Sequence, residues 1–393
     1  MPRTADRVSQ LGTETALEVF VKARALEARG RRVIHLEVGE PDFPTPGHIV
    51  EAAVKALRDG RTRYGPPAGL PELREAICAH LRDGRGIRAG IDRVLVAPGA
   101  KPIVFYGILA CVAPGDEVLI PDPGFPIYSS MVRFCGGVPV SVPPRLDPDQ
   151  PRALDLDALE RSITPRTRMV IFNAPGNPTG ATLTLADLRR LATLCEKHDL
   201  WVMADEIYRR ITYGDPQGEL PSIAALPGMA ERAIVVDGFS KSYAMTGFRL
   251  GWGLFPEALA PHAVRLMINS NTCTAAFVQL AGVAALQGPQ DAVASMTAEF
   301  RKRRDAIVGR LRRIAGISCS LPAGAFYAFP NVRALPLPAS AIAERLLEEE
   351  GIALLDGAGF GKGGEGHLRL SFAASLASLE EAADGIARLA ARL

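Results

Sequence analysis

Short apolar runs alternate with amphipathic stretches through the middle of the chain. The runs 94–97 (VLVA), 117–120 (EVLI), 138–142 (VPVSV), 169–172 (MVIF), 200–204 (LWVMA), 233–238 (AIVVDG) and 250–255 (LGWGLF) have strand length and many β-branched residues. Between them, residues 101–112 and 184–199 space their apolar side chains at helical intervals. Consecutive apolar positions suit strands buried on both faces. Their alternation with helices predicts a mostly parallel sheet covered on both sides.

From about residue 258 the pattern is helical through 315, with polar breaks near 287–290. Beyond that, 318–332, 339–351, 367–372 and 378–393 predict strand, helix, strand and helix, an α+β unit distinct from the central sheet. A helical start around 14–29 is expected to join this unit across the loop 36–46 (LEVGEPDFPTP). The expected fold class is therefore α/β: a large domain with a mostly parallel, seven-stranded-type sheet, plus a smaller α+β domain built from both chain ends. The expected boundaries are 1–46 for the amino-terminal part of the small domain, 47–290 for the large domain and 291–393 for the rest of the small one. No internal repeat or low-complexity linker separates them.

Composition narrows the function. The chain has 393 residues, 48% hydrophobic and 22% charged, enough for a large core. Its 45 basic and 43 acidic residues leave a net charge of +2, so no global field favours nucleic acid or an anionic membrane. The amino terminus lacks a signal-peptide pattern, and no apolar stretch is long enough to span a bilayer, which points to the cytoplasm. Six scattered cysteines without a C-x-x-C pair fit free thiols of a reducing compartment. The histidines lack metal-binding spacings, so no metal site is expected.

The chemistry concentrates at strand ends, where open parallel sheets bind ligands. After 94–97 comes PGAK (98–101), a turn opening a helix; after 169–172 comes NAPGNPTG (173–180). DEIY (205–208) follows the fifth run, and GFSK (238–241) the sixth. Lys241, alone in an apolar setting, loses solvation; this lowers its pKa and frees its amine as a nucleophile toward carbonyls. Asp205 at the end of an apolar strand needs a cationic partner. Arg249, Ser240 and the helix start at PGAK offer charge, a hydroxyl and backbone N–H groups suited to a phosphate. A Schiff-base lysine, a carboxylate for a ring nitrogen and a phosphate cradle together describe a pyridoxal-phosphate site.

The segment GFSKSYAMTGFRLGW (238–252) resembles the lysine signature of the class I/II, aspartate aminotransferase-like branch of fold-type I pyridoxal-phosphate enzymes. LEVGEPDFPTP, YGPPAGLPELREAI (64–77), NAPGNPTG, DEIY and HLRLSF (367–372) are similar to other segments of that family, in its order. The resemblance implies that Lys241 forms the Schiff base and shuttles the substrate proton, while Asp205 pairs with the ring nitrogen. It implies that Asn177 and Tyr208 bond the phenolic oxygen and that Phe125 stacks on the ring. Ala100 and Lys101 backbone N–H groups, with the Ser240 and Arg249 side chains, would hold the phosphate. Arg369 would take the substrate carboxylate, with Gly39 beside it and Asn177 in reach. Tyr64 would reach the phosphate of a neighbouring subunit, which makes a homodimer with shared active sites the expected assembly.

The implied activity is ping-pong transamination between an L-amino acid and a 2-oxo acid. A carbon–sulfur β-lyase on the same fold and a non-enzymatic cofactor-sensing regulator are the alternatives. The regulator lacks a DNA-binding module, since residues 1–30 are too short and too weakly basic for one. Phe125 stands where some acidic-substrate members carry tryptophan, which argues against strict aspartate specificity. The Lys101 side chain has two open readings: a distal substrate carboxylate, or phosphate and solvent. DGAGFGKGGEG (356–366) fits neither a P-loop nor a dinucleotide fingerprint and is expected to be a flexible loop beside the Arg369 strand.

Overall fold

The computed structural model describes residues 3–12, 15–214 and 220–393. Its strands are β1 (Ile34–His35), β2 (Val94–Ala97), β3 (Glu117–Pro121), β4 (Val138–Val142), β5 (Thr167–Asn173) and β6 (Trp201–Asp205). They continue with β7 (Ala233–Gly238), β8 (Gly251–Leu254), β9 (Tyr327–Ala328), β10 (Ile352–Ala353), β11 (Leu355–Asp356) and β12 (Leu368–Ser371). Seven of them form one sheet in the order β2-β8-β7-β6-β5-β3-β4. All pairings are parallel except those of β8, which runs antiparallel to both β2 and β7.

Strand periodicity explains why this sheet is apolar throughout. In β5, Met169 and Ile171 enter one core cluster while Val170 and Phe172 enter another on the opposite face. Met203 and Val202 in β6, and Ile234 and Val235 in β7, divide the same way. Fully burying each such side chain contributes roughly 1.5–3 kcal/mol. Helix Ala100–Cys111 packs on the first-named face and helix Pro71–Arg85 on the other. Helix Leu185–Lys197 starts at a capping box formed by Thr184 and Asp187, which is why it begins where the polar residues stop.

A third cluster lies apart. It joins Ile34 and Leu36 to Phe300, Ile307, Phe326, Leu346, Leu370 and Ile386, bringing both chain ends together. There β1 pairs with β10, and β11, β12 and β9 form a small antiparallel sheet.

Three expectations change. The helical stretch after residue 258 is interrupted once more, at Thr272, whose φ of 65° ends helix Ala260–Asn271 before helix Ala276–Gln287 begins. The strand expected over 318–332 shrinks to β9, because prolines at 322 and 330 withhold donors from a ladder. Residues 356–366 are not an open loop: Gly357–Phe360 and Lys362–Gly364 are two short 3-10 turns. Among the described residues no helix is long and apolar enough to cross a membrane.

Candidate active site

The register of the large sheet lines up its chemistry. Asn173 pairs with Asp205 across β5 and β6, Asp205 with Val236 on β7, Gly238 with Gly251 on β8, and Gly251 with Ala97 on β2. The segments after Ala97, Asn173, Asp205 and Gly238 therefore leave the sheet at one edge. A cavity of about 300 Å³ lies there, lined by Gly39, Ala100, Lys101, Phe125, Asn177, Asp205, Tyr208, Ser240, Lys241, Arg249 and Arg369. Of the residues singled out in the sequence, only Tyr64 does not line it; that side chain is 89% exposed.

Lys241 is half-buried, and its ammonium donates to the Gly39 carbonyl at 2.5 Å. Desolvation lowers its pKa to about 8, and the charges of Arg249, Lys101 and Arg369 push the same way against the opposing pull of Glu40. The amine is thus far more available near neutral pH than that of a solvated lysine.

Asp205 projects from the same face of β6 as Met203, onto the cluster that contains Tyr128. Among the described residues no cation pairs with it. Instead the Tyr128 hydroxyl donates to it at 2.6 Å and the Ile207 N–H at 3.2 Å. Burial raises its pKa to about 6, the two hydrogen bonds holding it lower than burial alone would. A cation placed beside it would reverse that shift.

At the other end, helix Ala100–Cys111 opens after Gly99, whose φ of 99° lets the chain turn sharply into its first turn. A Cβ at Gly99 would collide with the Arg249 guanidinium, so the arginine lies directly over the helix start. Arg249 itself has a φ of 53° and donates to the Thr246 carbonyl at 2.8 Å. A guanidinium over a helix N-terminus, with Ser240 alongside, is a built anion site.

Arg369 comes from β12 and is 2% exposed. It donates to the Glu37 carbonyl, and its guanidinium lies 4.8 Å from the Tyr327 ring and 5.3 Å from the Phe360 ring. The Tyr208 hydroxyl is 2.8 Å from that of Tyr327. A Cβ at Gly39 would run into the Tyr327 hydroxyl, which accounts for the glycine.

Pyridoxal phosphate fits these residues. The side-chain oxygen of Asn177 is buried without a partner among the described residues, leaving hydrogen-bonding capacity inside the cavity. The anion site and the acceptor-only carboxylate of Asp205 stand at its other sides, as a phosphate and a ring nitrogen require.

Sequence reasoning missed Tyr128, Tyr327, Phe360 and Asn173. Tyr128 was within reach: it stands at the start of helix Ile127–Phe134, three residues after Phe125, and the two rings meet edge to face at 5.8 Å. Asn173 shapes the turn before Asn177, accepting the N–H of Asn177 at 2.8 Å and donating to the Asp205 carbonyl at 2.9 Å. Tyr327 carried no local signal beyond an aromatic in a short strand.

Residues 31–386 match the family model for aminotransferase class I and II. An aspartate aminotransferase of Rhizobium meliloti is 37% identical, over all of this chain and 97% of that protein. The solved aromatic aminotransferase of Pyrococcus horikoshii OT3 is 42% identical with a TM-score of 0.88, covering 92% of this chain and 96% of that one. The Thermus thermophilus aspartate aminotransferase solved with maleate is 35% identical with a TM-score of 0.91, over 99% of this chain and 100% of that one. A match of this extent, on a cavity shaped for the same cofactor, places the chain in the class I and II aminotransferases: it is a fold-type I, pyridoxal-phosphate-dependent enzyme that carries an amino group between an amino acid and a 2-oxo acid.

Proposed function

We propose that Lys241 is the cofactor-bonding amine and the group that moves the substrate proton, and that the preferred substrates are dicarboxylic. The observation that supports both is the charge around the cavity. Lys101, Lys241, Arg249 and Arg369 line it against the single carboxylate of Asp205 among the described residues. Each cation then has one task. Arg249, with Ser240 and the N–H groups of Ala100 and Lys101, holds the phosphate. Arg369 takes the substrate α-carboxylate as a bidentate pair, with Gly39 and Asn177 beside it. Lys101, whose ammonium lies 5.6 Å from the Phe125 ring, meets a distal carboxylate.

Bound pyridoxal phosphate supplies a carbonyl for the amine and a pyridinium ring to accept the electron pair released at the substrate Cα. The chain does the rest. Asp205, ionised beside the ring nitrogen, would keep that nitrogen protonated. Asn177 and Tyr208 would hold the phenolic oxygen, and Phe125 would lie against the ring. Lys241 would hold and move the substrate Cα proton, a task suited to an amine with pKa about 8.

The assembly is a homodimer in which exposed Tyr64 reaches the partner's phosphate site. The chain divides at 46/47 and 290/291; the cluster joining Leu36, Phe300 and Leu370 supports a small domain, docked on the large one through Tyr208 and Ile211 in the same cluster. Aspartate aminotransferases among the relatives support the dicarboxylic preference.

The test is the visible spectrum of the purified holoenzyme with single amino acids. Aspartate or glutamate should bleach the cofactor band and a 2-oxo acid restore it, more efficiently than alanine or phenylalanine. Pyruvate and ammonia accumulating from a cysteine thioether, with the band unchanged, would overturn transamination. Equal efficiency with alanine would overturn the assignment of Lys101.

A further inference from the structure

The glycine-rich run 356–366 has no place in the chemistry above, yet it is the segment that closes one wall of the cavity. Its two turns cross from the small antiparallel sheet to Asp122, immediately after β3 of the large sheet. One carboxylate oxygen of Asp122 accepts the Gly363 N–H at 2.8 Å, and the other accepts the Ser141 hydroxyl at 2.6 Å. Two residues on, the Gly124 N–H donates to the Phe360 carbonyl at 2.9 Å. The approach is close enough to dictate the residue type. A Cβ at Gly361, where φ is 121°, would strike the Asp122 carboxylate, and one at Gly363 would strike the Asp122 carbonyl. The glycines serve this contact, which accounts for the failed nucleotide motifs.

What the contact holds is the substrate wall. Phe360 ends the first turn, lines the cavity and lies against the Arg369 guanidinium. We propose that Asp122 is a positioning residue: it clasps the 357–364 turns to the large sheet and so holds Phe360 and Arg369 around the substrate carboxylate. An N–H donating to a carboxylate is charge-assisted and stronger than a neutral pair, which suits a clasp between separately packed layers. The proposal rests on Arg369 as the carboxylate site.

The experiment compares Asp122→Ala and Asp122→Asn holoenzymes by hydrogen exchange and steady-state kinetics. Asp122→Ala should speed exchange in peptides covering 357–366 and tryptic cutting at exposed Lys362. It should raise KM for both amino donor and oxo acceptor by about tenfold, the loss expected of one charge-assisted hydrogen bond. The kcat should stay close to its starting value. Asp122→Asn keeps an acceptor oxygen and should recover most of the KM. Gly363→Ala, acting from the other side, should reproduce the defect if Asp122→Ala loses its cofactor band. Arg369→Lys is measured in parallel. If it leaves KM unchanged, the carboxylate assignment fails. If it raises KM while Asp122→Ala changes neither exchange nor KM, only the clasp is overturned. Faster exchange with an unchanged KM also overturns it.

Discussion

Tyr128 holds Asp205 through a single 2.6 Å hydrogen bond on the buried floor of the cavity. Burial and the neighbouring carboxylate push the Tyr128 pKa far above its usual value, so it remains a donor across the working range. Its bond is the main interaction within the chain that stabilises the Asp205 anion.

Tyr128→Phe should therefore raise the proton affinity of Asp205. The acid limb of the kcat/KM profile should move to higher pH by about one pH unit, since a hydrogen bond to a charged group contributes roughly 1.5–3 kcal/mol. Measured against pH from 5 to 9 (roughly the range where carboxylate and lysine both titrate), an unmoved limb would show that the ring nitrogen alone sets Asp205.

Asp205→Asn should stabilise the cofactor-stripped protein while disabling the enzyme. The folded pKa of about 6 lies above the ordinary 3.8, so the folded state binds the extra proton and stability falls as pH rises from about 4 to 6. Above that window the full cost is present. It is about 3 kcal/mol, and a neutral amide removes it. Urea unfolding at pH 7.5 (roughly above both values) should show the gain, and unfolding near pH 4 should not. Equal stability at both pH values would mean the carboxylate is solvated.

Gly39→Ala should cost activity more than stability. The added Cβ displaces the Tyr327 hydroxyl from Tyr208 and crowds the aromatic ring under Arg369. A drop of about tenfold to a hundredfold in kcat/KM is expected, with destabilisation of about 1–3 kcal/mol. Adding Tyr327→Phe, which removes the obstructing oxygen, should return part of the loss. Strictly additive losses would place the damage elsewhere.

Much of this molecule is legible in its sequence. The seven runs of the large sheet are where apolar pattern and β-branched residues put them, because strands buried on both faces leave little room for other compositions. Lys241, Asp205 and Arg249 were visible because each sets a charge into an otherwise apolar run, and Asn177 because NAPGNPTG resembles a family segment. Tyr128 and Tyr327 break nothing: an aromatic in a core segment is ordinary, and only the third dimension brings their hydroxyls to Asp205 and Tyr208. The turns at 357–364 were misread for a related reason. Glycine density signals backbone freedom, but here it records how closely another segment approaches.

The cavity draws on residues from Thr15 at one end of the chain to Arg369 at the other. A ribosome has released most of the chain before the last of these side chains exists. The large sheet is able to condense earlier, since its strands end at Leu254, but it does so with one wall missing. Completion of the substrate wall is thereby a late event in the protein's biogenesis. A truncated product would keep a lysine and an anion site without Arg369, the arginine we assign to the substrate carboxylate.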